Sequence, residues 1–310
     1  MIAATASRVR ESPRSCVPAD AMQAPDAQDP SVPIAASPQD GVGWRAELDL
    51  LCARRNGRTV LAHKRQLGPL TLQRPFYPED DLCHLYLLHP PGGVVGGDRL
   101  SIDIAVGTGA NALVTTPGAT KFYRSAGREA VQHQCLSVAA GATLEWFPQE
   151  TILFPGARVR SRTEIALQAD ALFIGWELLS LGRPVIGERF DNGALLAGLS
   201  LSRDGLPLLT DRLRIADPRH LDGPTGLRGK PVTGTFIASG CDGAVLEVVR
   251  KAAVVPNGLL LGITLLDDLL VARCLAASIE PIQRVFCVLW SALRPLLLAR
   301  DACAPRIWST

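Results

Sequence analysis

From Trp44 onward, apolar and polar residues alternate with a period of two over short runs, and glycine or proline separates the runs. Trp44, Ala46, Leu48 and Leu50 alternate with charged partners. Asn56-Gly57 follows, and Val60 and Ala62 resume the pattern. Asn-Gly accepts positive φ at both central positions, so the segment predicts a hairpin closed by a type I′ turn. Leu100, Ile102, Ile104 and Val106 alternate with Ser101, Asp103 and Ala105, the pattern of a strand with one buried face. Residues 82–88 form a continuous apolar run, read as a strand buried on both faces. Further strands are predicted over 112–116, 130–138, 143–147, 163–167, 195–201, 233–238, 244–249 and 259–265. Short strands at this spacing suit a layered all-β body.

Two stretches read as helices. Residues 170–181 begin at a capping residue, Asp170, and end at Gly182. Residues 280–300 carry Pro281 near the first turn and apolar side chains almost all round, with Pro295 expected to kink the end.

Composition sharpens this picture. The chain has 310 residues, with 28 glycines and 23 prolines, and punctuation that dense favours short strands over long helices. Lysine plus arginine exceeds aspartate plus glutamate by 32 − 30 = 2, which excludes a strongly basic nucleic-acid binder. Residues 1–43 stand apart. The first 40 hold six prolines and nine alanines, no aromatic precedes Trp44, and no period is visible. Such a segment is expected to be disordered, leaving 44–310 as one β domain. The eight cysteines contain no C-x-x-C pair and are scattered through apolar segments, as expected of reduced buried thiols. Arg8, Arg10 and Arg14 interrupt the N-terminus before any apolar region, and the most apolar stretch, 285–298, contains Arg294 and Pro295. The expectation is a soluble, cytoplasmic chain with no membrane partner.

No nucleophile elbow or triad motif is present. The glycine-rich stretch 89–100, His-Pro-Pro-Gly-Gly-Val-Val-Gly-Gly-Asp-Arg-Leu, lacks the Gly-Lys-Ser/Thr ending of a phosphate loop and reads as tight turns. Cys83, His84 and His89 cannot hold one ion on a continuous strand, because His84 and His89 diverge and Cys83 and His89 lie too far apart. The acids are more informative. Glu145 lies inside an apolar strand, Glu150 follows it closely, Glu177 sits beside Trp176 in the apolar helix expected over 170–181, and Glu188 ends a Gly-Arg-Pro-Val-Ile-Gly-Glu stretch. A carboxylate in such surroundings needs a partner or a wet cavity. The plain reading is ion pairing, for example Glu188 with Arg183 or Arg189; the sharper one is a hydrated acidic path. A hydrolase using two of these acids is the alternative from another class.

Four motifs in order carry a family resemblance: 89–100 as quoted above; 115–125, Thr-Thr-Pro-Gly-Ala-Thr-Lys-Phe-Tyr-Arg-Ser; 144–152, Leu-Glu-Trp-Phe-Pro-Gln-Glu-Thr-Ile; and 182–188. With the ending Pro-Arg-Ile-Trp-Ser-Thr, they resemble the urease accessory protein UreD (UreH) family over residues 44–310. The resemblance implies a mainly β fold, a layered helicoidal body of strands with two α-helices, one near the C-terminus. It implies a non-enzymatic urease maturation scaffold or chaperone that works with UreF, UreG and the urease apoprotein and can be dimeric within that complex. It implies no tightly bound cofactor but transient nickel, delivered through an internal hydrated channel. Asp98, Glu145, Glu150, Glu177 and Glu188, placed inside or near the matching motifs, are the candidate nickel-path residues. The 280–300 helix and the tail at Ile307-Trp308 are the candidate surface for UreF.

Overall fold

The computed structural model describes residues 43–309. The expected disordered extension thus lies, but for Gly43, outside the described residues.

Two sheets form the body. The seven-stranded sheet contains β1 (Arg45–Arg55), β2 (Arg58–Leu67), β6 (Arg99–Val106), β9 (Ala130–Val138), β12 (Arg158–Leu167), β15 (Ala194–Arg203) and β16 (Leu206–Ile215). Its order is β16-β15-β12-β9-β6-β1-β2. The twelve-stranded sheet contains the short strands β3 (Thr71–Leu72), β4 (Phe76–Glu79), β8 (Thr120–Phe122), β11 (Thr151–Leu153) and β14 (Glu188–Arg189). Its longer strands are β5 (Leu82–Leu88), β7 (Asn111–Thr115), β10 (Thr143–Phe147), β13 (Leu172–Arg183), β17 (Val232–Ala238), β18 (Leu260–Leu266) and β19 (Leu269–Ala276).

The chain alternates between the sheets. It passes from β5 to β6, back to β7, and onward through β9, β10, β12, β13 and β15. Each new strand lies parallel to the one laid down a turn earlier: β6 on β1, β9 on β6 and β12 on β9 in one sheet, β7 on β5, β10 on β7 and β13 on β10 in the other. Parallel neighbours need a long crossover, and here the opposite sheet supplies it. The expected layered helicoid is the fold. Antiparallel hairpins close its edges, among them the β1–β2 hairpin, where Asn56 (φ 50°) and Gly57 (φ 81°) make the predicted turn.

Two sequence expectations are corrected. Residues 170–181 are not a helix but mostly β13, a strand whose two faces are both covered. Phe173 and Leu181 pack between the sheets, while Ile174, Trp176 and Leu178 pack beneath the helices. Burial on both sides erases the two-residue period. The cap-like Asp170 instead accepts the Gly141 amide at 2.8 Å in a turn. Conversely, the strand expected over 244–249 is helix. Besides the single turn α1 (Arg219–Asp222), the described α-helices are α2 (Gly243–Ala252) and α3 (Ile279–Leu298). Asp242 caps α2 by accepting the Val245 amide at 2.9 Å, and Arg250 and Lys251 complement the dipole in its last turn.

By length and composition α3 could cross a membrane. Here it lays Ile282, Val285, Phe286, Leu289, Trp290 and Leu293 on the outer face of the twelve-stranded sheet. It continues past Pro295 and stops where Ala299 turns left-handed at φ 51°. The tail folds back on the same layer. Trp308 packs 5.6 Å from Trp176 and 5.7 Å from Trp290 between ring centres, and its indole N–H donates to Thr115 Oγ1 at 3.0 Å.

Candidate functional site: a polar cavity between the sheets

The alternation along β13 that sends Trp176 toward the helices sends Glu177 the other way, between the sheets. There it lines a cavity of about 190 Å³ that opens beside the exposed Pro117 and Gly118. The walls are unusually polar for the space between two sheets. Gln132 and Gln134 enter from β9, Ser161 from β12, and His89, Lys121 and Gln149 stand in the loops and short strands around it. Gly93 belongs to this wall because a side chain there would collide with the Tyr123 ring, a Cβ lying 2.1 Å from it. A second cavity of about 170 Å³ continues on the far side of Glu177 and is lined by Asp211, Arg212 and Arg273. The two share Glu177, Leu179 and Ala197.

Glu177 is wired to the opposite sheet. Its Oε1 is hydrogen-bonded to Thr163 Oγ1 on β12, and Thr163 Oγ1 lies 2.8 Å from Gln134 Oε1 on β9. A hydroxyl has one proton to give. When Glu177 is protonated it donates to Thr163, which donates to Gln134, and every link is satisfied. When Glu177 ionises, Thr163 must turn to the carboxylate and Gln134 Oε1 loses its donor. Burial pushes the Glu177 carboxyl up to about 7, against the opposing effect of the Thr163 hydrogen bond. Burial likewise pushes the His89 imidazole at the cavity wall down. Trp146, on β10, lines the same cavity, and its indole Nε1 is buried without a protein partner.

Of the five acids singled out in the sequence, Glu177 is the one that lines this cavity. Asp98 locks a turn: Oδ1 accepts the Trp44 amide at 2.8 Å and Oδ2 the Val95 amide at 2.9 Å. Glu145 points away from the cavity, toward α3, where Trp290 Nε1 (2.6 Å) and Arg294 Nη2 (3.0 Å) donate to it. Burial pushes its carboxyl up, and Arg294 opposes that shift. Arg294 also donates to Glu79, which in turn accepts His84 Nε2 at 2.9 Å. Glu150 meets Gln283 of α3 at 3.5 Å. Glu188 is held by Arg183 at 2.9 Å, the plain pairing expected for it.

Comparison with known proteins decides what this body is. A family model described as UreD urease accessory protein matches residues 45–309. The chain belongs to the UreD family. It is similar to the urease accessory protein UreD of Alcanivorax borkumensis, with 49% identity covering 90% of this chain and 98% of that one. UreD of Citrobacter koseri is 47% identical (86% and 92% covered), and UreD of Klebsiella aerogenes 46% (86% and 97%).

The UreD-like motifs now have a common location. Residues 89–100 follow β5, 115–125 start at the end of β7, 144–152 run through β10 and past it, and 182–188 start at the end of β13. These strands are parallel neighbours in register, so all four motifs gather at one end of the helicoid. The first three supply much of the cavity's opening wall, including His89, Thr116, Lys121 and Gln149. Sequence reasoning missed Thr163, Gln134 and Trp146. Glutamines and a threonine in an alternating strand read as the outer face, and the hydroxyl-to-amide contact across two strands appears only once the register is known.

Proposed function

We propose that this UreD-family chain serves urease maturation as a scaffold and conduit, passing nickel, its cargo, between the sheets and past Glu177 toward the urease apoprotein. The observation that carries this reading is the buried, unpartnered Trp146 indole N–H in the wall of a polar cavity. A buried donor of that kind calls for water, and a cavity of about 190 Å³ bounded by two glutamines and a carboxylate accommodates several. Hydrated divalent ions travel through such surroundings, where oxygen ligands are weak and exchangeable. The second cavity behind Glu177 gives the passage another mouth, beside Asp211 and Arg273, which pair at 2.8 Å. On this reading UreF and UreG dock in the cytoplasm against the helical layer, where Val288 and Leu296 of α3 remain exposed.

A hydrolase would need two facing, unpaired acids in its cleft; among the described residues Glu177 is the only carboxylate lining the main cavity, and Asp211, which joins it in the second, is held by Arg273. The test is co-expression with UreF, UreG and apo-urease. Glu177→Leu and Thr163→Val should lower urease activation severalfold while the accessory complex still assembles. Val288→Asp with Leu296→Asp should instead prevent UreF capture. Full activation by the Glu177→Leu variant would exclude the conduit, and retained capture by the doubly substituted helix would exclude this docking face.

A further inference from the structure

Gln134 and Thr163 point between the sheets, toward Glu177, so their chain neighbours on β9 and β12 point outward. There, on the opposite face of the seven-stranded sheet, three different metal-ligating side chains meet. His133 and Cys135 share a face because they are two residues apart on β9, and Glu164 of β12 stands in register beside Cys135. His133 Nε2 lies 2.9 Å from Glu164 Oε2 and 3.6 Å from Cys135 Sγ, and Cys135 Sγ lies 3.7 Å from the same Glu164 oxygen. The other Glu164 oxygen, Oε1, is engaged by Arg162, which fixes the carboxylate with Oε2 turned toward the imidazole and the thiol.

We propose that His133, Cys135 and Glu164 form an open, three-ligand binding site for a late first-row divalent cation, zinc or nickel. Tetrahedral coordination at about 2.3 Å to sulfur and about 2.0–2.1 Å to nitrogen and oxygen separates such donors by about 3.3–3.6 Å. The observed triangle departs from this by less than about 0.5 Å on any side, within the reach of small rotamer adjustments. One nitrogen, one sulfur and one oxygen donor select borderline ions over magnesium or calcium, which prefer oxygen alone. The ligands are backed by rigid parallel strands. His133 and Glu164 keep 20% and 16% of their side-chain surface exposed, so the remaining coordination position faces water. Asp103 of β6, in register with Cys135 on its other side, and Asp49 beyond it add negative charge, while Arg162 and Arg65 oppose it. On binding, the metal–sulfur bond replaces the S–H bond and that proton leaves to solvent, while the imidazole binds through an unprotonated ring nitrogen. The site is separated from the inter-sheet passage by the sheet itself and does not depend on that passage.

The test titrates nickel, zinc and magnesium chlorides into the metal-free full-length chain and into Cys135→Ser, His133→Asn, Glu164→Gln and Glu247→Gln, with circular dichroism confirming that each is folded. The wild type should show a thiolate-to-nickel charge-transfer absorption that zinc abolishes by competition and magnesium does not. Cys135→Ser should lose that absorption. His133→Asn and Glu164→Gln should weaken binding about tenfold or more, the scale of losing one contact at a metal site. Glu247→Gln, an exposed acid on α2 beyond the other sheet, should bind as the wild type does. Absorption that is absent from the wild type, or that survives in Cys135→Ser, overturns the assignment. If Cys135→Ser does not fold, His133→Asn decides, because it keeps the thiol and removes the imidazole: unchanged affinity there overturns the assignment equally.

Discussion

Arg294 and Glu145, 149 positions apart in the chain, meet at 3.0 Å in the interior with neither side chain exposed to solvent. The guanidinium reaches Glu79 as well, so one helix residue bridges β4 and β10. Removing the arginine alone strands a buried carboxylate. Arg294→Leu is therefore expected to destabilise the fold by about 3–5 kcal/mol. Adding Glu145→Leu should recover part of that loss, because the buried charge then disappears with its partner. Urea unfolding midpoints of the single and double variants check both statements.

The Glu177 carboxyl lies higher in the fold, at about 7, than in an unfolded chain, where its usual value is 4.5. Between those values the folded state holds more protons than the unfolded state, so stability falls as pH rises through the window. The penalty levels off above about 7, at a size on the order of 3 kcal/mol. Glu177→Gln should remove this slope. Thermal melts of both proteins from pH 5 to pH 8 should draw apart as pH rises, with the variant the more stable at the alkaline end.

Glu79 behaves in the opposite sense. Burial alone would raise its carboxyl, but hydrogen bonds from His84 and Arg294 outweigh burial and bring it down to about 2 from 4.5. Its contribution is present above 4.5 and is lost as pH falls through the folded value. Glu79→Gln should accordingly be less stable than wild type at neutral pH. The gap should narrow in acid, which denaturant unfolding at pH 6 and pH 3 would measure.

Trp308 holds the C-terminal tail on the aromatic layer through Trp176, Trp290 and Phe147. Trp308→Ala should cost about 3 kcal/mol, toward the low end for a large aromatic because the residue is only part-buried. Thr115 Oγ1 also loses its indole donor. Limited proteolysis should then release the tail, whereas Trp308→Phe should keep most of the packing.

The fold was legible where one face of a strand meets water. The Asn56-Gly57 hairpin and the alternation of β6 both follow that rule. It was illegible in β13, where two buried faces leave no contrast, and in α2, whose short apolar run can be threaded as strand until Asp242 is seen to cap it. The site was half legible. Glu177 stands out as an acid in an apolar run, yet Gln134 and Thr163 look like outward residues until the cavity shows which way they face. The His133-Gln134-Cys135 spacing was itself readable as two ligands on one strand face. The third, Glu164, comes from another strand 31 residues away from His133, and only the parallel register supplies it.

The way the helicoid is laid down has a consequence for its synthesis. β9 can settle on β6 as soon as it emerges from the ribosome, since Arg99 pairs with Val131 and no later segment is required. Glu79 is made early, but the arginine that neutralises it lies 215 residues further on. At about 5–20 residues per second, that carboxylate waits roughly 10–40 s, and the outer face of the twelve-stranded sheet stays bare meanwhile. The nascent chain can therefore stack its turns in order but cannot cover the outer face of its twelve-stranded sheet until α3 has been made. During that interval its apolar face is open to whatever the cell supplies to shield it.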